Sequence, residues 1–155
     1  MIKIPGNLNI VRGLSSVAGD VGGTGDYISM KYAHRVWVVF ITKQGHAAKA
    51  TLSISKAKDV AGTDAAAMTE VAKIYSALDC ATSDVLTKRV DAASYELDAG
   101  LKDKIVVFEI DPSALGAFDT IAAVVGTSNA LNITSVVYLV ESRYGTDVQP
   151  SMIID

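Results

Sequence analysis

The chain has 155 residues and a formal net charge of −3 at pH 7; half of its residues are hydrophobic and only 20% are charged. A core of this length buries about two-thirds of the unfolded surface, so one domain is expected. The acidic balance and scattered Lys and Arg exclude the basic footprint of a nucleic-acid binder, and no run approaches the ~20 apolar residues of a bilayer span.

Residues 1–6 lack the uninterrupted apolar stretch of a signal peptide, so a soluble product made in a cytoplasm is expected. The single cysteine, Cys80, has no intramolecular disulfide partner, which fits a reducing compartment. Asp79 and Asp84 flank it and would raise a thiol pKa, so Cys80 reads as a small hydrophobe rather than a nucleophile. The high apolar fraction also suggests that some surface is buried between subunits.

From residue 5 to residue 26, Gly6, Gly13, Gly19, Gly22, Gly23 and Gly25 interrupt any regular pattern. Residues 1–26 therefore read as a flexible arm that orders on assembly. The glycines of residues 19–25 lack the Gly-Lys-Ser/Thr ending of a P-loop and the spacing of a dinucleotide fingerprint, so they read as a plain turn.

A strand is expected to begin within residues 27–30, and residues 32–43 form a strong one. There Arg35, Trp37, Val39 and Ile41 share one face while Val36, Val38, Phe40 and Thr42 share the other. Both faces are largely apolar, so the strand reads as buried on two sides, with Trp37 in the core. Gln44, Gly45 and His46 supply a turn. Residues 50–56 then alternate, with Ala50, Leu52 and Ile54 inward, and the two strands read as a hairpin.

Residues 64–78 carry Met68, Val71, Ala72, Tyr75 and Leu78 at helical spacing behind Asp64, which favours a helix. Ala72, Ile74, Ser76 and Leu78 would also serve a strand, but the pattern favours helix. Short strands are expected over residues 85–90 and 94–97, and a core strand over 104–111, stopped by Pro112. One helical turn follows at 112–115, then strands at 120–125 and 133–141.

About eight short strands without βα alternation predict a mainly β fold: an antiparallel β-sandwich or jelly roll with one or two short helical turns. Its domain is expected over residues 27–145, with a tail at 146–155.

Chemistry-bearing patterns are few. His34 and His46 have no partners at metal-ligand spacing. Ser53 and Lys56 fit a Ser-x-x-Lys pattern, but a strand points them to opposite faces, whereas activating a nucleophile needs hydrogen-bond reach. Glu109 and Asp111 read as solvated carboxylates at a strand end. Asn132-Ile133-Thr134 matches a glycosylation sequon but runs into a strand with no secretory signal. No catalytic, cofactor-binding or metal-ligating residue emerges, and the chain reads as a non-enzyme.

Three stretches carry a resemblance. They are Tyr32-Ala33-His34-Arg35-Val36-Trp37-Val38-Val39-Phe40; Ala50-Thr51-Leu52-Ser53-Ile54-Ser55-Lys56 through Asp59-Val60-Ala61-Gly62-Thr63; and Lys104-Ile105-Val106-Val107-Phe108-Glu109-Ile110-Asp111 with Val137-Tyr138-Leu139-Val140-Glu141-Ser142-Arg143-Tyr144 and the tail Pro150-Ser151-Met152-Ile153-Ile154-Asp155. In their layout the chain resembles the small capsid decoration, or cement, proteins of tailed bacteriophages. The resemblance implies a virion protein on the capsid surface that contacts the major capsid protein and itself, as a homodimer or homotrimer, with no cofactor, nucleic acid or membrane. Its termini, residues 1–26 and 146–155, are expected to reach neighbours. Another virion component, such as a head-completion, connector or tail subunit, shares the profile. A ligand-binding β-sandwich is the remaining alternative, and would need a concave pocket with convergent polar groups.

Overall fold

The computed structural model describes residue 4 and residues 6–144 and 150–154. Twelve strands among them form two antiparallel sheets. Sheet A runs in the order β1 (Leu8–Ala18), β12 (Asn132–Ser142), β4 (Ala33–Gln44), β10 (Asp103–Ile110), β7 (Lys73–Ala77), β8 (Thr87–Lys88). Sheet B runs β2 (Gly23–Thr24), β11 (Thr120–Val125), β5 (Thr51–Ala57), β6 (Ala66–Ala67). Outside that order, β3 (Ile28–Ser29) also pairs with β11, and β9 (Ser94–Glu96) with β5. The fold is the expected antiparallel β-sandwich.

The expected helical turn is present at Pro112–Leu115. Its N-cap is Asp111, whose side chain accepts from the Ser113 amide, and proline fits the first turn because its missing N–H would be unpaired there anyway.

Period-two alternation builds the core. Val36, Val38 and Phe40 of β4, Val106, Phe108 and Ile110 of β10, and Val136, Tyr138 and Val140 of β12 all point inward. They meet Leu52 and Ile54 of β5 and Ile121, Ala123 and Val125 of β11. Phe40 and Phe108 pack edge to face with ring centres 5.5 Å apart.

Four expectations are corrected. The absence of regular structure expected across residues 5–26 fails over Leu8–Ala18, which is an 11-residue strand paired with β12. Its one glycine, Gly13, marks an irregularity in a strand rather than its absence: the register shifts between Arg12 and Leu14, and the Tyr138 ring occupies the space a Gly13 side chain would need.

The expected hairpin is not formed. Both edges of β4 are taken by β10 and β12, so the chain leaves Gln44 for the opposite sheet and β5 pairs with β11 instead.

The helix expected over residues 64–78 is replaced by β6 and β7. The free edge of β10 recruits Lys73–Ala77 as a strand, and Ala72, Ile74 and Ser76 bury at period two, so tertiary pairing overrides the local alanine content. Asp64 stands at φ 52°, at the close of a turn, rather than as a helix cap.

Finally, β4 is buried on one side only. Trp37 and Val39 are partly exposed and Ile41 is 44% exposed, on the sheet face turned away from the core.

Of the expected tail, residues 146–149 and 155 lie outside the described residues. Met152 is buried, and its carbonyl accepts the Ser29 amide at 2.7 Å, so this part of the tail packs on the sandwich itself.

Candidate interaction surface

The outward face of sheet A is assembled from the residues that alternate with the core set. Antiparallel register places them in rows: Ile10, Leu139, Trp37, Glu109 and Lys73 cross the sheet in one row, and Arg12, Val137, Val39, Val107 and Tyr75 in the next. Ser135, Ile41, Ile105 and Ala77 make a third. Ile10 is 58% exposed, and Ile133 at the margin 42%. Charged groups close one end, where Arg35 lies 5.9 Å above the Trp37 ring and both Arg35 and Lys73 pair with Glu109, at 3.5 and 3.2 Å.

The outward face of sheet B is different in kind. Thr51, Ser53 and Ser55 of β5 lie beside Ala122 and Val124 of β11, and Ser55 Oγ hydrogen-bonds the Tyr27 hydroxyl at 2.8 Å. The outward side of sheet A is therefore the more apolar of the two, with Ile10, Ile41 and Ile133 exposed and Val107 and Ala77 buried within it.

Toward one end of sheet A the inward residues turn polar and are all buried: Thr42, Lys104 and Thr134 share one row, Gln44 and Asn132 the next, and Ser76 of β7 lies beside Val106. The Lys104 ammonium, fully enclosed, donates to Gln44 Oε1 at 2.5 Å, to Asp98 Oδ1 at 2.5 Å and to the Asp98 carbonyl at 3.0 Å. Burial works against Asp98 ionisation, but the Lys104 and Gly100 hydrogen bonds outweigh it and hold its carboxyl below the usual range.

Outside this layer lies a cleft of about 480 Å³, lined in part by Asp79, Thr82, Ser83, Arg89, Asp98 and Lys102. Its charged groups are held by neighbours. Asp79 pairs with Lys102, whose hydrogen bond lowers the Asp79 pKa, and Arg89 Nε donates to Ser76 Oγ at 2.7 Å.

The residues singled out in the sequence do not converge. His34 is exposed on β4, and His46 is exposed in the following loop, its Nδ1 accepting the Ala48 amide at 3.0 Å. Ser53 faces outward, while Lys56 is buried, pairs with Glu70 and lies over the Phe118 ring at 4.8 Å. Cys80 is partly buried, its thiol 3.8 Å from the Ala77 carbonyl.

Glu109 and Asp111 are separated by function: Glu109 is held by Arg35 and Lys73, whereas Asp111 caps the 3₁₀ turn, and its bonds to Ser113 lower its pKa. Asn132 is buried, donating to the Ala48 carbonyl and accepting the His46 amide, both at 2.8 Å, so the sequon offers no accessible amide. Among the described residues no group of three His, Cys, Asp or Glu is placed to hold a metal, and no helix is long and apolar enough to cross a membrane.

Sequence reasoning missed the face itself. Its signal was present in the alternation of β4, where both sets of side chains are apolar; the second set was assigned to a second buried side instead of an outer one.

No family model matches the chain, and no curated protein matches it. Among solved structures it is similar to the SPBc2 prophage-derived protein YomS, at 9% identity and a TM-score of 0.49, covering 91% of this chain and 98% of that one. It is also similar to a candidate sugar-binding protein of Bacteroides thetaiotaomicron, at 9% identity and a TM-score of 0.32, covering 90% and 85% of the two chains. Neither likeness carries a function.

Proposed function

We propose that this chain is a structural virion protein that binds the outside of a tailed-phage capsid and cements neighbouring copies of the major capsid protein. The observation that carries the proposal is the outward face of sheet A, the more apolar of the sandwich's two outward faces. Exposed apolar patches of this breadth mark interaction sites. The stretches that resemble decoration proteins supply β4, β5, β10 and β12, and three of these form the centre of that face.

The strand order supports the same reading. β1, β12, β4 and β10 lie side by side in one sheet and β11 and β5 in the other, and most connections between them cross from sheet to sheet. Cementing follows from mass action: a ligand that binds only the assembled shell stabilises it by RT ln(1 + [L]/Kd), and many copies act together.

A second reading, a ligand-binding sandwich, draws on the polar cleft beside Arg89 and Lys102, whose volume suits a small molecule.

Electron cryomicroscopy of particles from a producing strain tests the proposal. Density for this sandwich in many copies outside the shell, between capsomers, is the expected result. Density at the portal or tail instead would favour another virion role, and absence from particles would leave the cleft as the better lead.

A further inference from the structure

We infer that the cleft beside Arg89 binds the anionic group, a carboxylate or a phosphate, of a small hydroxylated molecule such as a sugar acid or a sugar phosphate. The inference rests on reading that cleft as a ligand site, the second reading above, and names the chemical class it takes.

Charge is the first argument. Among the charged side chains lining the cleft, Asp79 and Lys102 pair with each other, and Asp98 pairs with the enclosed Lys104 behind it. Arg89 is the exception. Among the described residues no carboxylate forms an ion pair with it: Asp91, two residues on, pairs with Lys88, and Asp84 lies outside the cleft lining. The one uncompensated charge in the cleft is therefore positive.

Geometry is the second. Arg89 follows β8 directly and is half-buried. Its Nε donates to Ser76 Oγ at 2.7 Å, and Ser76 is itself buried on β7. That bond fixes the plane of the guanidinium and leaves its terminal N–H groups for a ligand. Two such groups side by side match two oxygens of a carboxylate or a phosphate. A neutral hydroxyl would take one donor and leave the charge unanswered.

The surrounding hydroxyls are the third. Ser83 Oγ accepts the Val85 amide at 3.2 Å and keeps its own proton to donate, and Thr87 stands opposite Ser76 in the β7–β8 pairing. Both line the cleft, where they suit a ligand that carries hydroxyls of its own. A volume of about 480 Å³ lies in the range of small-molecule sites. The chain's net charge of −3 disfavours a polyanion, so a single anionic group is the better match.

Titration of the isotope-labelled full chain with glucuronate and with glycerol phosphate, followed by proton–nitrogen NMR, tests the inference, with glucose and glycerol as the uncharged counterparts. Saturable shifts of the Thr82, Ser83 and Thr87 amides and of the Arg89 Nε–H are expected with an anionic probe, and the stronger of the two separates a carboxylate ligand from a phosphate one. Arg89→Gln should weaken that binding about tenfold or more. Arg89→Lys, which keeps the charge without the paired donors, should fall between the two. Lys58→Gln, at an exposed cation paired with Asp64 away from the cleft, should leave binding unchanged. Unaltered amide signals from β4 and β12 show that each variant folds.

The inference and the reading beneath it fail separately. Uncharged probes that shift the cleft signals as strongly as the charged ones, with no effect of Arg89→Gln, would keep a ligand cleft and overturn its anionic class. Cleft signals that no probe moves, or shifts scattered over exposed lysines and indifferent to Arg89→Gln, would overturn both.

Discussion

The Tyr138 hydroxyl crosses the sandwich from sheet A to accept the backbone N–H of Ala123 in sheet B at 2.9 Å, and donates in turn to the Asp26 carbonyl at 3.0 Å. Both Tyr138 and Ala123 are fully buried, so the bond between them has no water as a substitute, whereas Asp26 is exposed. Tyr138→Phe keeps the ring and removes the bolt. The orphaned Ala123 amide should cost about 1–3 kcal/mol. Urea denaturation checks this, with a lower midpoint and an unchanged slope expected.

The same residue gives stability an alkaline limb. Burial pushes the Tyr138 phenol from 10.0 up to about 12. In the unfolded chain it ionises near its ordinary value, so between pH 10 and 12 the unfolded state releases the proton while the folded state retains it. The contribution is fully present below pH 10 and is lost as pH rises through about 12, amounting to about 2–3 kcal/mol. The stability gap between wild type and Tyr138→Phe should therefore narrow across that window; a constant gap would contradict the assignment.

Gly13 marks the place where β1 gives way to the Tyr138 ring. A side chain there would put its Cβ 2.5 Å from Tyr138 Cε2, and the ring has little freedom to retreat because its hydroxyl is bonded at both ends. Gly13→Ala should destabilise by about 1–3 kcal/mol through overpacking. In a Tyr138→Leu background the penalty should fall, since the clashing atoms are gone. A double-mutant cycle by chemical denaturation reads that coupling directly.

The sequence was legible where one period spoke alone. In β5, Leu52 and Ile54 alternate with Ser53 and Ser55, and they bury and face outward as read. In β4 the alternation was equally regular but apolar on both sides, and hydrophobicity by itself does not separate a second core face from an outer one. β7 shows the other failure. Residues 64–78 carry two compatible periods, and the free edge of β10 decided between them; that edge does not exist in any local window. β1 was hidden because Gly13, a residue type that ordinarily breaks structure, here accommodates Tyr138, more than a hundred positions away. The polar layer at Thr42, Lys104 and Thr134 also escaped notice, because each residue looks like an ordinary strand end until three strands are laid side by side.

That polar layer yields an ordering of variants that runs against intuition. Lys104 is enclosed and Asp98 is half exposed, so simple burial would rank Lys104 as the more sensitive position. The opposite is expected. Asp98→Ala removes the countercharge and leaves an ammonium in the core with Gln44 Oε1 and a backbone carbonyl for company. Breaking a buried pair this way costs about 3–5 kcal/mol, and the exposure of Asp98 places this case at the lower end. Lys104→Met removes the charge with its desolvation penalty and retains the aliphatic stem. Its main loss is the bond to Gln44, about 1 kcal/mol. Denaturation at neutral pH should therefore find Asp98→Ala the less stable of the two. Because the Asp98 pKa is lowered in the folded state, its contribution is present above the ordinary carboxylate range and lost as pH falls through the folded value. The difference between wild type and Asp98→Ala should shrink on acidification, and a difference that persisted there would mean the carboxylate charge is not what holds Lys104.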